Sequence, residues 1–176
     1  SADQVVIDKR GVASTGTVTK IDLSALRVAA TLGVELHPTA LAWDEPRHRL
    51  YVANGNSDTV SVIDTRIDKA RPTIALRPFS VVTPGVAPTA LAVSSDGATL
   101  FVACGGINAI GVVETAGGTT KGLIPTAWYP GGVVNDGKNL YVTNVKGFGS
   151  RDPHPGKRGW NSHYNLGTVE KVEIPL

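Results

Sequence analysis

The chain has 176 residues, of which 41% are hydrophobic and 18% charged, with 20 glycines, 11 prolines and a formal net charge of +2. This composition is typical of one turn-rich globular domain and excludes a disordered or coiled-coil protein. The small, scattered positive charge excludes the basic footprint of a nucleic-acid-binding protein, and no apolar run reaches membrane-spanning length. The single cysteine, Cys104, excludes an intrachain disulfide and a thiolate metal cluster.

Short segments of alternating or continuous apolar residues recur along the chain and predict β-strands. One of them is interrupted by Pro78, which suits an outermost strand because proline is tolerated at sheet edges and bulges. In chain order, the fourteen predicted strands are Val5–Asp8, Thr17–Asp22, Val28–Val34, Pro38–Trp43, Leu50–Asn54, Thr59–Asp64, Thr73–Val82, Pro88–Val93, Leu100–Cys104, Ala109–Glu114, Thr119–Ile124, Pro130–Val134, Leu140–Asn144 and Thr168–Glu173.

The strands follow one another in a repeated order. Pro-Thr-Ala-Leu-Ala occurs at 38–42 and 88–92, and each copy leads to a relative of Leu-Tyr-Val-Ala-Asn. Asp96-Gly97 and Asp136-Gly137 predict hairpin turns between the first two strands of a unit. A period of 40 to 50 residues with several short strands is the signature of a propeller blade. The sequence therefore predicts an all-β fold, a β-propeller of four-stranded antiparallel blades.

The chain is predicted to be a single propeller segment, 1–176. It divides into a partial blade at 1–36, blades at 37–86 and 87–126, and a partial blade at 127–176. These are about three and a half blades, whereas propellers close with about four to eight. Because an open arc leaves unpaired edges, we expect a larger ring of about seven blades, completed by the remainder of a parent polypeptide or by other chains. A self-closed four-bladed ring is the alternative.

The chain contains no methionine and begins at Ser1. We therefore expect it to be a processed product or an excised piece of a longer protein.

Two sets of motifs carry a family resemblance. Leu-Tyr-Val-Thr-Asn at 140–144, its variant at 50–54 and Thr-Val-Ser-Val-Ile-Asp at 59–64 resemble the YVTN-repeat, YncE-like β-propellers of bacteria. The segment Ile-Pro-Thr-Ala-Trp-Tyr-Pro at 124–130, with 144–150 and 167–170, is similar to the propeller half of proteins in which a YncE-like domain precedes an alkaline-phosphatase-superfamily phosphoesterase domain. This resemblance implies a periplasmic or extracellular protein whose metal-dependent chemistry lies in another domain.

The chain departs from the repeat motif at two kinds of position. Asp8 and Cys104 stand where the motif has asparagine, and Gly131-Gly132 replace Thr-Ala in the last unit. The asparagines that remain, Asn54 and Asn144, are predicted to close turns by bonding the backbone. Cys104 is predicted to be a buried small hydrophobe, because no base or cation is adjacent in sequence to lower its pKa.

The segment between the last two predicted strands, 145–166, is the one non-repetitive feature of the chain. It concentrates polar and aromatic residues, which predicts a recognition loop on a rigid scaffold. His37 precedes the first strand of its unit, as Ala87 and Tyr129 do in the later units, and it is predicted to lie at the mouth of the central channel. Asp152, His154 and His163 have metal-ligating side chains, but no helical or strand spacing supports the geometry, and no metal site is predicted. The predicted binding residues are Arg151, Asp152, His154, Trp160, Asn161, His163 and Tyr164.

The sequence has neither a Gly-x-Ser-x-Gly elbow nor a phosphate loop. We therefore predict a non-catalytic scaffold or recognition module of a larger exported bacterial protein associated with a phosphoesterase domain, without a cofactor or enzymatic activity of its own. One alternative is a lactonase-like or other propeller hydrolase that holds Ca²⁺ or another divalent cation through Asn54, Asn144 and Glu35. The other is a surface adhesion protein that binds its partner through the 145–166 loop.

Overall fold

A computed structural model of the chain describes residues 15–77, 85–149 and 166–174. These residues form β-strands joined by tight turns, with short 3-10 segments at Glu45–Arg47 and Gly105–Ile107, so the all-β prediction is confirmed. The strands of the described residues are β1 (Gly16–Asp22), β2 (Arg27–Val34), β3 (Pro38–Asp44), β4 (Arg49–Asn54), β5 (Thr59–Asp64), β6 (Lys69–Ala75), β7 (Pro88–Val93), β8 (Thr99–Cys104), β9 (Ala109–Glu114), β10 (Thr119–Pro125), β11 (Pro130–Asn135), β12 (Asn139–Asn144) and β13 (Thr168–Glu173).

The strands form four antiparallel sheets in which chain neighbours pair with one another. The first sheet contains β1 and β2, the second β3 to β6, the third β7 to β10 and the fourth β11 to β13. Each sheet is a simple meander, and the second, third and fourth sheets pack against one another through their inner strands, β3 against β7 and β7 against β11. These sheets are propeller blades, as the repeats predict.

One predicted strand is displaced in the structure. We expected a strand at Thr73–Val82, whereas β6 spans Lys69–Ala75. The turn after β5 is tight and ends at Asp68, which has a left-handed φ of 49°, so the chain re-enters the sheet at once. Pro72 fits within β6 because the pairing with β5 shifts between Val60 and Val62, and a bulge on an outermost strand tolerates proline. Pro78 and the predicted strand Val5–Asp8 lie outside the described residues.

The two predicted Asp-Gly hairpin turns are confirmed. Gly97 and Gly137 have φ values of 67° and 91°, which glycine adopts without a Cβ clash. The preceding carboxylates brace the turns: Asp96 accepts a bond of 2.9 Å from the Ala98 amide, and Asp136 accepts one of 2.8 Å from the Lys138 amide. The sheets are therefore joined internally by turns that the local sequence specifies.

Each sheet has two faces, which we name by direction along the chain. The forward face points toward the next sheet and the backward face toward the preceding one. One core lies between the second and third sheets and one between the third and fourth. The buried residues of the first core are Ala42, Tyr51, Ala53, Val60, Val62, Ile74, Leu76, Val86, Leu91, Leu100, Val102, Cys104 and Val113. Those of the second core are Ala92, Phe101, Ala103, Ile110, Val133, Leu140 and Val142.

None of the described residues covers the forward face of the fourth sheet. Val134 and Val169 project from it and are 62% and 73% exposed. The first sheet therefore does not cover this face, and the four sheets form an arc. The alternative of a self-closed four-bladed ring is not what the structure shows.

Candidate functional site

The upper rim of the arc brings together the linkers between sheets and the turns between the second and third strands. It forms because the start of each inner strand pairs with the end of its neighbour, as Pro38 does with Asn54 and Pro130 with Asn144. The linkers are 35–37, 85–87 and 126–129, and the turns are 55–58, 105–108 and 145–149. The predicted recognition loop begins on this rim.

His37, Ala87 and Tyr129 occupy equivalent places on the rim. All three have left-handed φ values, of 56°, 47° and 59°, and each carbonyl accepts a backbone bond of 2.8 to 3.0 Å from the turn beside it. The turns pack closely under two of these side chains, since a Cβ added at Gly55 would lie 3.0 Å from His37 and one at Gly105 would lie 3.1 Å from the Tyr129 ring. These side chains are therefore mounted at fixed positions over glycine turns.

The motif asparagines have a structural role, but their partners differ from the prediction. Asn54 Nδ2 donates to Thr59 Oγ1 at 3.1 Å and to Ser61 Oγ at 2.9 Å, and Asn144 Nδ2 donates to Thr168 Oγ1 at 3.2 Å. The predicted backbone bond is wrong because each asparagine ends its strand directly opposite the threonine that begins the next. These side chains are buried and tie two strands together.

In the third sheet, both the asparagine and the threonine opposite it are replaced. Cys104 takes the asparagine position and pairs with Ala109, which takes the threonine position. The Cys104 thiol is buried, with Sγ 3.3 Å from the Val102 carbonyl oxygen, and burial raises its pKa to about 11. The predicted buried thiol is confirmed, and it is protonated at neutral pH.

The side chains named for a hydrolase do not converge. Thr59 Oγ1 donates to Glu35 Oε2 at 2.6 Å and accepts from Asn54, so Glu35 and Asn54 belong to one bonded chain at the second sheet. Asn144 lies in the fourth sheet, with the third sheet between. Within 15–77, 85–149 and 166–174, no three His, Cys, Asp or Glu side chains gather as a metal-binding group.

Two repeated threonines fasten successive sheets, and sequence reasoning missed them. Thr39 Oγ1 donates to the Pro88 carbonyl at 2.7 Å, and Thr89 Oγ1 donates to the Pro130 carbonyl at 2.6 Å. The signal was the Pro-Thr pair repeated at 38–39 and 88–89. At the equivalent position of the fourth sheet stands Gly131, which has no hydroxyl. We call these bonds the threonine latches.

A second pair of bonds fastens the same junctions at the rim. Asp58 Oδ1 accepts from the Ala87 amide at 3.0 Å, and Asn108 Oδ1 accepts from the Tyr129 amide at 2.9 Å. Asp58 and Asn108 both have left-handed φ values, of 54° and 53°, a conformation that short polar side chains tolerate. The polar side chains of the repeats are thus engaged in holding strands and sheets together.

The exposed aromatic residues of the upper rim collect at the fourth sheet. We call Trp128, Tyr129, Lys146 and Phe148 the rim cluster. Trp128, Tyr129 and Phe148 are exposed, and the Lys146 ammonium lies 5.5 Å from the centroid of the Tyr129 ring. A cation at this distance from an aromatic face is attracted by the ring quadrupole. The cluster therefore offers large apolar surfaces together with a positive charge.

The backbone beneath the rim cluster is braced from both sides. The Trp128 amide donates to the Gly147 carbonyl at 2.9 Å, and the Lys146 amide donates to the Trp128 carbonyl at 3.1 Å. Glu170 of β13 accepts a bond of 2.8 Å from the Ala127 amide. Gly149, with a φ of 91°, packs under the indole, because a Cβ there would lie 3.0 Å from the Trp128 ring. The cluster is held in place by the fold itself.

The predicted binding loop is not placed by the structure. All seven predicted binding residues fall in 150–165, outside the described residues, and the flanking Gly149 and Leu166 are described. They are Arg151, Asp152, His154, Trp160, Asn161, His163 and Tyr164. Their role stays a prediction. Sequence reasoning missed the rim cluster as a site, although the residues of 124–130 carried part of the family resemblance.

In the described part of the chain, no helix has the length and hydropathy needed to cross a membrane.

The chain resembles solved β-propeller structures. No protein-family model and no curated protein matches it. It superposes on a chain of hydrazine synthase from Kuenenia stuttgartiensis with a TM-score of 0.67 and 24% identity, over 99% of this chain and 52% of that one. It superposes on a chain of a nidogen/laminin complex with a TM-score of 0.58 and 19% identity, over 76% of this chain and 52% of that one.

Both of these neighbours contain β-propellers. At this level of identity the likeness establishes the fold alone. The chain spans about half the length of each matched chain. It is a set of β-propeller blades.

Proposed function

We propose that the chain is a non-catalytic β-propeller scaffold that recognises a partner protein through the rim cluster. The observation that carries this proposal is a division of labour among the side chains. Asn54, Asn144 and the threonine latches bond to other parts of the fold, while the rim aromatics face outward on a braced backbone. The exposed side chains of the rim cluster, which can make new contacts, are therefore suited to recognition and not to reaction chemistry.

The chemistry of the rim cluster suits protein recognition. Tryptophan, tyrosine and phenylalanine are enriched at the centres of protein interfaces, where they bury large apolar areas. A surface held rigid before binding loses little conformational entropy when the partner docks. The backbone bonds at Trp128 and Lys146 supply this rigidity.

We extend the proposal to the parent assembly. The chain belongs, in this proposal, to a YncE-like propeller of a larger exported bacterial protein, in the periplasm or outside the cell, and a phosphoesterase domain is the partner. Its support is the motif at 124–130, because Trp128 and Tyr129 of that motif are also rim cluster residues. The predicted loop residues Arg151 to Tyr164 would add polar contacts beside the cluster.

Capture of a defined partner tests the proposal. The immobilised chain is incubated with the exported proteins of its source organism, and the bound proteins are identified by mass spectrometry. We expect a phosphoesterase to be retained, and the double variant Trp128→Ala with Phe148→Ala to lose it at least about tenfold, because each removes a buried interface anchor. Ile67→Ala, an equally exposed residue in the turn between β5 and β6, is the matched control and should retain it.

Two results would contradict this function. Retention of the same partner by the rim double variant would remove the cluster from recognition. Calcium-dependent hydrolysis of a lactone by the chain alone, abolished by Asn144→Ala while the fold is kept, would establish the hydrolase alternative instead.

A further inference from the structure

The forward faces of the three successive sheets are built from equivalent residues. The register places an aromatic residue at 51, 101 and 141, a β-branched aliphatic at 60, 110 and 169, and a small or aliphatic residue at 42, 92 and 134. In the second and third sheets these residues are the core of a junction with the next sheet. The fourth sheet thus presents a third copy of a junction surface.

The burial of these residues differs sharply between the sheets. Tyr51 and Phe101 are 1% and 2% exposed, whereas Tyr141 is 36% exposed. Val60 and Ile110 are fully buried, whereas Val169 is 73% exposed. Equivalent apolar faces are thus buried in the second and third sheets and exposed in the fourth. Contiguous exposed apolar surface of this kind marks an interaction site.

The other end of the arc presents the complementary face. Val113 and Val172 lie on the backward faces of the third and fourth sheets, where each packs in a junction core. Their equivalent in the first sheet, Ile21 of β1, is 57% exposed, and Val28, which pairs with it across the sheet, is 59% exposed. Cross-strand partners share a face, so they form one apolar patch on the backward side of the first sheet.

We propose that two copies of this chain associate head to tail, with the forward face of the fourth sheet of each copy packed on the backward face of the first sheet of the other. The contact has the same forward-to-backward direction as both internal junctions, but in the described part of the chain the first sheet contributes only β1 and β2, the counterparts of β5 and β6, and no counterpart of the inner strands β3 and β7. This pairing does not depend on what the rim cluster binds.

The number of sheets favours closure at two copies. A head-to-tail contact makes a ring if the rotation closes and a filament if it does not. Two copies have eight sheets, of which the two first sheets have two strands each among the described residues, and the sequence counts them as about seven blades. Both numbers lie within the range in which propellers close, about four to eight blades.

The contact between copies lacks features that strengthen the internal junctions. Gly131 stands where Thr39 and Thr89 form latches, and Gly167 stands where Asp58 and Asn108 bond the next linker. On the same face, Lys171 replaces the aliphatic Val62 and Val112. An interface with fewer hydrogen bonds and a smaller apolar area is weaker. The pair of copies should therefore dissociate on dilution.

Sedimentation velocity over a dilution series tests the pairing on the full 176-residue chain. We expect a concentration-dependent shift from the 18.3 kDa chain to a species of twice that mass. Val169→Lys and Ile21→Lys should each raise the dissociation constant at least about a hundredfold, because each buries an unpaired charge in both contacts of the ring. Ile67→Lys makes the same change on an exposed residue outside both faces and should associate like the wild type.

A mixture distinguishes head-to-tail packing from any other dimer. Val169→Lys and Ile21→Lys should each be monomeric alone. When mixed they should pair, more weakly than the wild type, because one of the two contacts between the copies is then native. Circular dichroism of every variant should match the wild type, since these residues are already exposed.

Any of four results would overturn the proposal. The wild type could remain at the mass of one chain throughout the series, or its mass could keep growing beyond two copies. The Val169→Lys variant could associate as Ile67→Lys does. The mixture of the two charged variants could fail to pair.

Discussion

The third and fourth sheets share a strand order and much of a sequence, yet they differ in how they are covered. The third lies between two neighbours, and its central strands β8 and β9 are buried on both faces. The fourth has a neighbour on one side only, and β12 alternates between buried and exposed residues. Their sequences record the difference, since Phe101 and Ala103 of the third sheet become Tyr141 and Thr143 in the fourth.

This contrast shows that a blade is not a unit of stability. Its meander is specified locally by turns, but most of its apolar burial depends on the sheets beside it. Substitutions at equivalent positions should therefore have unequal costs in the two sheets. Unfolding in dilute solution, where copies of the chain are apart, measures that inequality.

The largest difference is expected at the aromatic position of the forward face. Phe101→Ala should lower the free energy of unfolding by about 3 to 5 kcal/mol, because it leaves a cavity in a closed core. Tyr141→Ala should cost no more than about 1 kcal/mol, as expected of a partly exposed side chain. Urea unfolding followed by circular dichroism measures both, and equal losses would show that the two faces are equally packed.

The next difference concerns the asparagine pair that the third sheet has replaced. Asn54→Ala should cost about 2 kcal/mol, because the Thr59 and Ser61 hydroxyls lose a buried donor. The double variant Asn54→Cys with Thr59→Ala copies the pair at 104 and 109. Its loss of unfolding free energy should be smaller, by roughly 1 kcal/mol, than the sum of the losses in Asn54→Cys and Thr59→Ala alone, as for residues in direct contact. Strict additivity would mean that the pair is not a unit.

The threonine latch should contribute less. Thr89→Val keeps the shape of the side chain but removes the bond of 2.6 Å to the Pro130 carbonyl, at an expected cost of about 1 kcal/mol. Thr143→Val, on the uncovered face of the fourth sheet, is the control and should change stability by less than about 0.5 kcal/mol. Indistinguishable urea midpoints for the two variants would show that the latch does not stabilise the junction.

The smallest effect is a pH dependence that belongs to the third sheet. A thiol ionises near pH 8.5 in the unfolded chain, while burial raises the pKa of Cys104 to about 11 in the folded one. Above pH 8.5 the folded state therefore holds a proton that the unfolded state has lost, so stability falls as the pH rises. The loss at pH 9 should be below about 1 kcal/mol, and absent in Cys104→Ala. An equal loss in both proteins would assign it to other groups.

The fold was predictable because its signals are local and repeated. Alternation in the runs that begin at Pro38 and Pro88, and Asp-Gly at 96–97, identify strands and turns without knowledge of the tertiary structure. The error at β6 has a physical cause. Lys69, Ala70 and Arg71 have little strand character of their own, and they pair because the turn at Asp68 returns them to β5.

The site was less predictable because it depends on contacts between distant residues. Thr89 and Pro130 are 41 residues apart, and nothing in either local sequence indicates that they bond. The rim cluster likewise combines the linker at 128–129 with the turn at 146–148, which only the pairing of β11 with β12 brings together. The loop residues at 150–165 stay a prediction.

The three left-handed linker residues have a consequence for engineering. Histidine, alanine and tyrosine adopt nearly the same backbone at 37, 87 and 129, so the geometry of these places does not depend on the side chain mounted there. Residues other than proline and the β-branched ones should be interchangeable at all three. These three positions on the upper rim could therefore be randomised to select affinity reagents while the blades stay unaltered.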